Sequence, residues 1–120
     1  MPRKKNDSAY IWDMLQAAKL VREFSMNQSF QDFLEDKMRR SAIERQIEII
    51  GEAANRLSKE FQADHSEIPW NRIISQRHIL AHEYDDLAYE ILWNVVSIHI
   101  PSLIEKLERI LPSSIPEVDL

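Results

Sequence analysis

The chain has 120 residues and a mass of 14.2 kDa, enough for one domain with a buried core and too little for two. Its 44% hydrophobic and 29% charged residues, with one glycine, indicate a helix-rich globular protein. The absence of cysteine excludes disulfides, thiolate metal sites and cysteine nucleophiles. With no apolar run of membrane-spanning length and no signal-peptide pattern after Met1, we expect a cytoplasmic protein.

The charge is unevenly distributed along the chain. The net charge of -5 argues against nonspecific binding of nucleic acid through a broad basic surface. Residues 1–60 carry 11 Lys/Arg against 10 Asp/Glu, whereas residues 61–120 carry 4 against 10. Any contact with RNA or a nucleotide must therefore be a local pocket, helped by the first half of the chain or by a second subunit.

The first half of the chain predicts three helical segments. The first begins after Asp7 or Ser8 and ends near Phe24, and Ser29 with Asp32 forms a capping box that opens the second. A long helix follows from about residue 36 to residue 60. Its apolar side consists of Ile43, Ile47, Ile50, Ala54 and Leu57.

The opposite side of that long helix carries Arg45, Glu52 and Arg56, which fall within ~40° of one another. Two interpretations of these three residues fit the sequence equally well. The three residues form an exposed ion-pair ladder, or they face a dimer cleft and support the chemistry there.

The second half predicts two further helices. The segment Ile68-Pro69-Trp70 begins one, because proline is tolerated in the first turn of a helix. Asp85 or Asp86 caps the next, and Pro101 should kink or break it. Residues 1–6 and 112–120 are predicted to be loose tails of one domain spanning 1–120. The apolar residues expected to face inward on the last helix are Leu87, Ile91, Leu92, Val95 and Ile98.

The densest group of chemically active side chains lies between Arg77 and Tyr84. Arg77 is an always-charged phosphate binder, His82 titrates near neutral pH, and Tyr84 adds a phenol. Taken singly, each has an ordinary explanation: an ion pair for Arg77, a hydrogen-bonded core position for His82 and an amphipathic core edge for Tyr84. Arg77 and His82 would lie ~140° apart on an unbroken helix, so a helix end or a second copy of the chain must bring them together.

The order Arg, four residues, His, one residue, Tyr resembles the signature of the HEPN superfamily, and within it of the HepT-like toxins. The resemblance spans roughly residues 8 to 111. One position departs from the commonest family form, since His78 stands where asparagine or aspartate is usual, and it remains a lesser candidate for the site. The resemblance also rests on Ile49-Ile50-Gly51-Glu52-Ala53-Ala54, on Ile68-Pro69-Trp70, on Ala81-His82-Glu83-Tyr84 and on Trp93.

This resemblance implies an all-α fold, a four- or five-helix bundle that dimerises through the helices that carry the motif. It implies a ribonuclease cleft shared by both copies, in which Arg77 and His82 cleave RNA. It further implies a toxin–antitoxin module whose partner, a minimal nucleotidyltransferase, uses ATP to transfer AMP to Tyr84 and so neutralises the toxin.

The chemistry of the motif can be argued separately. No group of carboxylates suggests a two-metal nuclease, so we expect no cofactor and a metal-independent route. In that route His82 moves a proton at the ribose 2′-OH or at the leaving 5′-oxygen, and Arg77 stabilises the charge on phosphorus. A zinc site is the competing interpretation, because His78 and His82 are four residues apart on the sequence. This site lacks a recognisable third ligand.

A noncatalytic helical module stays open as the alternative. Such a module would bind a nucleotidyltransferase or present Tyr84 to it, without cleaving RNA.

Overall fold

The computed structural model describes the backbone of residues 7–81 and 86–114, and the side chains of residues 7–76 and 88–111. Within those ranges the chain is helical with no strand, which confirms the all-α prediction. The elements are α1 (Asp7–Ser25), α2 (Phe30–Glu35), α3 (Lys37–Arg56), α4 (Lys59–Asp64), α5 (Trp70–Ala81), α6 (Asp86–Asn94), a π-helical turn (Val95–His99) and α7 (Ile100–Ser114).

Four long elements make the bundle. They are α1, α3, α5 and the continuous helix made of α6, the π turn and α7, called the last helix below. Helix α1 packs against α3 and α7, and α3 also packs against α5. The buried apolar side chains, from Tyr10 to Ile110, form a single core. This arrangement agrees with the expected bundle, with α2 and α4 as short additions.

Local sequence explains the starts of α2 and α3. The Asp32 amide donates to Ser29 Oγ at 3.1 Å, and the Ser29 amide donates to the Asp32 carboxylate at 2.9 Å. This capping box is the predicted one. The Ser29 backbone amide is also the main reason that the pKa of Asp32 lies below its ordinary value. Asp36 then caps α3 by accepting from the Arg39 amide at 2.9 Å.

The predicted long helix from 36 to 60 is too long, because α3 ends at Arg56 and α4 follows as a separate helix. Leu57 has an extended backbone, and Ser58 caps α4 through the Phe61 amide. The Asp7 carboxylate accepts from the Ser58 amide at 2.9 Å and from its hydroxyl at 2.8 Å. A contact 51 residues away in the chain thus supports the break.

Pro101 does not end the last helix. The chain stays helical from Asp86 to Ser114, and the irregularity lies just before the proline, in the π turn. There the Ile100 amide donates to the Val95 carbonyl, five residues back. Such single wide turns inside α-helices are the usual form of π-helix. Helix α7 also extends through Pro112, where the loose tail was expected to begin.

The inward-facing prediction for the last helix is wrong at two positions. Leu92 and Val95 are buried, but Ile91 and Ile98 are 42% and 59% exposed. The seven-residue interval keeps these two isoleucines on about the same side of a helix. Among the described residues, no helix has the length and apolar character needed to cross a bilayer.

Candidate active site

Helix α5 carries the first residues of the motif. Arg77 and His78 lie in its last two turns, while His82 and Tyr84 lie outside the described residues. Residue 77 follows Ile73 by one turn and Trp70 by two, and both of those side chains are 6% exposed. Trp70 and Ile73 thus mark the side of α5 that meets the bundle.

The start of α5 is held by Trp70. Its indole Nε1 donates to the carbonyls of Gln62 and His65, at 3.1 and 3.0 Å, and its ring meets Phe61 edge-on at 6.3 Å between centroids. Buried indole groups normally need such a partner for their N–H. Trp70 is thus a core residue that ties α5 to α4.

The helices around α5 can be placed from three contacts. Ile50 of α3, Ile73 of α5 and Val95 of the last helix line one cavity. Arg40 of α3 lies over the Tyr89 ring of α6, with 4.7 Å from Cζ to the centroid. Since Arg40 precedes Ile50 and Tyr89 precedes Val95, α3 and α6 run in the same direction. Helix α5 starts beside α4, after the end of α3, and so runs the opposite way.

The part of the motif on α5, Arg77 and His78, therefore lies towards the Arg40 end of the bundle. The end of α5 and the start of α6 both approach this end, and residues 82–85 connect them. How Arg77 and His82 come together stays a prediction, because His82 lies outside the described residues.

Arg40 is a buried charge that the sequence analysis did not single out. It is 9% exposed, and its guanidinium donates to the carbonyl of Phe33 at 3.3 Å and to that of Leu34. These carbonyls belong to the last turn of α2, where a cation also meets the negative end of the helix dipole. Arg40 thereby joins α2, α3 and the start of α6.

Glu44 lies one turn after Arg40 on α3. Burial raises the pKa of the Glu44 carboxyl above its ordinary value, and the nearby charge of Arg40 opposes that rise. The i, i+4 spacing of Arg40 and Glu44 was visible in the sequence. Their burial was not, because it depends on the packing of α2 and α6 over this part of α3.

The stripe on the outer side of α3 is an ion-pair ladder for part of its length. The Arg45 guanidinium pairs with Glu48 and, at 3.4 Å, with Glu52. Arg56 is exposed and has no carboxylate within 4 Å among the described residues. The ladder accounts for Arg45 and Glu52 structurally, while a role for the three residues in a cleft stays a prediction.

The zinc alternative depends on His78 and His82, of which His82 lies outside the described residues. In the part of the chain that the structure describes, no three His, Asp or Glu side chains are grouped so that they could hold a metal ion.

Comparison with known proteins identifies the family. The model of the family described as "Ribonuclease HepT-like" matches residues 14–110, a range that contains the whole motif. The chain is 37% identical over 107 residues to a protein of Thermococcus cleftensis named "Probable ribonuclease HepT", covering 89% of this chain and 97% of that one.

A second relative, from Caldanaerobacter subterraneus subsp. tengcongensis and named as a "Putative RNase", is also 37% identical over 107 residues. The match covers 89% of this chain and 96% of the relative. No solved structure matches the chain. The family model and these relatives together show that the chain belongs to the HepT-like ribonuclease family.

Proposed function

We propose that this chain is the toxin of a two-component toxin–antitoxin module, a homodimeric endoribonuclease that cuts RNA without a metal ion. The observation that carries the proposal is the family match over residues 14–110, which includes Arg77, His82 and Tyr84 in the expected order. The bundle is consistent with it, because the end of α5, the helix that contains Arg77, and the start of α6 lie towards the same end of the fold.

The proposed reaction is an internal transfer at phosphorus. The ribose 2′-oxygen attacks, the bond from phosphorus to the 5′-oxygen breaks, and a 2′,3′-cyclic phosphate and a 5′-hydroxyl remain. His82 takes the proton from the 2′-OH or gives one to the leaving oxygen, and Arg77 stabilises the added negative charge. A dimer would supply two copies of Arg77 and His82 to one cleft, and so more positive charge than one copy of the acidic chain provides.

Two exposed isoleucines support dimerisation through the helices that carry the motif. Ile91 and Ile98 lie on α6 and the π turn, at 42% and 59% exposure, and α6 directly follows the motif. Ile98→Asp is expected to shift the mass in light scattering from dimer to monomer and to reduce cleavage. Met38→Asp is the matched control, since Met38 is 85% exposed at the start of α3. A dimeric, fully active Ile98→Asp protein would place the interface elsewhere.

The catalytic proposal is tested with purified protein and end-labelled RNA, with and without a chelator. Chelator-resistant cleavage leaving a cyclic phosphate is expected, with no cleavage of DNA or of 2′-O-methyl RNA. Arg77→Ala and His82→Ala should abolish cleavage at unchanged melting temperature, and Arg109→Ala should leave it unchanged. If wild type cleaves no RNA at any concentration, the noncatalytic module is the better description.

The proposed off-switch is Tyr84. In the transfer, its phenolic oxygen attacks the α-phosphorus of ATP, a tyrosine–phosphate bond forms, and pyrophosphate leaves. The cognate minimal nucleotidyltransferase with ATP should therefore add AMP to the wild-type protein and stop cleavage. Tyr84→Phe should stay unmodified in mass spectrometry and keep its activity in the presence of the partner. Modification of Tyr84→Phe to the same extent as wild type would disprove this acceptor.

A further inference from the structure

A groove runs between α5 and the last helix. It consists of two adjoining depressions, one that extends to Ser102 and Lys106 of α7 and one that extends to Ile91 and Asn94 of α6. The groove therefore leads along the last helix towards α6, which follows the 82–85 segment. The side chains that line both depressions are Arg72, Gln76, Val95 and His99.

The cations of this groove are notable against an acidic background. Residues 61–120 contain four Lys/Arg, namely Arg72, Arg77, Lys106 and Arg109. Arg109 is paired with Glu105 at 2.5 Å, and Arg77 belongs to the motif. The remaining two, Arg72 and Lys106, both line the groove, together with His99.

These side chains are not neutralised by carboxylates of the described chain. Neither Arg72 nor Lys106 has an Asp or Glu oxygen within 4 Å there. The Lys106 ammonium donates to the Glu67 carbonyl at 3.2 Å, and this acceptor is not a carboxylate. Arg72 and His99 are exposed. The groove thus presents positive charge that no carboxylate of the described chain neutralises.

The floor of the groove is apolar. Its aliphatic side chains come from three different helical elements and are at most 7% exposed. Cations at the rim over an apolar floor match a chain that alternates anionic groups with flat apolar rings, as single-stranded RNA does. The floor residues are Ile50, Ile73, Val95, Ile100 and Leu103.

We propose that this groove binds the RNA strand beside the cleaved bond, with Arg72 and Lys106 contacting phosphates. The proposal rests on the ribonuclease function proposed above. Asn94 and Lys106 are separated by ~18 Å of helix rise, room for several nucleotides. Because Arg72 and Arg77 lie ~140° apart around α5, a strand in the groove meets the motif at the end of α5 and not across its face.

The test separates binding from cleavage. Affinity is measured by fluorescence anisotropy with labelled 2′-O-methyl RNA, which lacks the nucleophile, and kcat and KM with the cleavable RNA of the same sequence. Arg72→Gln and Lys106→Gln should each weaken the affinity for RNA about tenfold, because each removes roughly one charge-assisted hydrogen bond. Each should also raise KM for the cleavable RNA and leave kcat unchanged. Each should also reduce the slope of log affinity against log salt by about 0.7.

Arg109→Gln is the matched control, because it removes an α7 cation that is already paired, and it should bind like wild type. Arg72→Lys with Lys106→Arg keeps both charges and should retain most of the affinity, which separates lost contacts from a damaged fold. The effect of the Gln variants should vanish with a substrate of two nucleotides, too short to enter the groove.

The two proposals fail in different ways. If wild type cleaves RNA and the double Gln variant keeps wild-type affinity and KM, the groove proposal is overturned and the ribonuclease stands. If the double variant loses RNA affinity but wild type cleaves nothing, the groove stands and the proposed catalysis falls. Unchanged RNA affinity with lost binding of the nucleotidyltransferase would assign the groove to that protein and overturn the RNA proposal.

Discussion

The two sides of the bundle differ in how completely the chain itself covers their side chains. Where α1 meets α3 and α7, the apolar positions are almost completely covered, with Ile11, Met14 and Leu107 at 0% exposure. On the side of α5 and α6, Ile91 and Ile98 remain exposed and Arg72 has no carboxylate partner among the described residues. Where α1 meets α3 and α7, the apolar side chains are covered within one chain. The side of α5 and α6 leaves apolar surface and charge that other molecules could satisfy, and it is the side that carries the motif.

The largest effect should come from the covered side. Leu107→Ala removes a side chain at 0% exposure and should cost about 2–5 kcal/mol of unfolding free energy, because a cavity remains. Urea denaturation followed by circular dichroism measures it, with Met38→Ala as the exposed control that should change stability by less than ~0.5 kcal/mol. Equal losses in the two variants would contradict the contrast between the covered core and the surface.

Arg40 should behave as part of the structure although it lies close to α6, the helix that follows the motif. Arg40→Met leaves the carbonyls of Phe33 and Leu34 without this donor and should cost about 1–3 kcal/mol in the same assay. The control is Arg39→Met, which removes an exposed pair with Asp36 at 3.4 Å and should cost less than about 1 kcal/mol. A loss no larger than that of the control would mean that these hydrogen bonds add no stability.

A smaller effect is expected at the junction of α3 and α4. Asp7→Ala removes both acceptors for Ser58 and should cost about 1 kcal/mol, as for the loss of a helix cap. Asp13→Ala on the exposed side of α1 is the control. Amide hydrogen exchange should also become faster in α4. Unchanged exchange there would show that Asp7 does not support the break between α3 and α4.

The smallest effect concerns pH. Burial raises the pKa of Glu44 above its ordinary value, so the folded state favours the protonated carboxyl. The stability from this group is fully present below its ordinary pKa and is lost as the pH rises through the raised one. Wild type should therefore lose stability relative to Glu44→Gln across that window when unfolding is measured at several pH values. A constant difference between the two proteins would show that the shift is absent.

Local patterns predicted the parts of the fold that depend on neighbouring residues. Ser29 and Asp32 indicated a capping box, and Pro69 with Trp70 indicated the start of α5, because these signals act within a single turn. The predicted membership of a ribonuclease family is likewise confirmed, since it depends on residue order along the chain. The roles of Arg77, His82, Tyr84 and His78 stay predictions.

Contacts between distant residues decided the rest. The end of α3 depends on Asp7, and the burial of Arg40 depends on α2 and on Tyr89, partners that no helical period reveals. The exposure of Ile91 and Ile98 likewise depends on which neighbours cover the last helix. Helical spacing predicts which residues share a face, but not whether another helix covers that face.

The fold class, most of the helix starts and the family could thus be predicted from the residues alone, because each depends on short-range order along the chain. Contacts between helices determined that the end of α5 and the start of α6 lie towards Arg40, and that Arg72 and Lys106, 34 residues apart, line one groove. The physical reason is packing, since α5 and the last helix must both bury apolar faces against the same core. That requirement brings their cations together over an apolar floor.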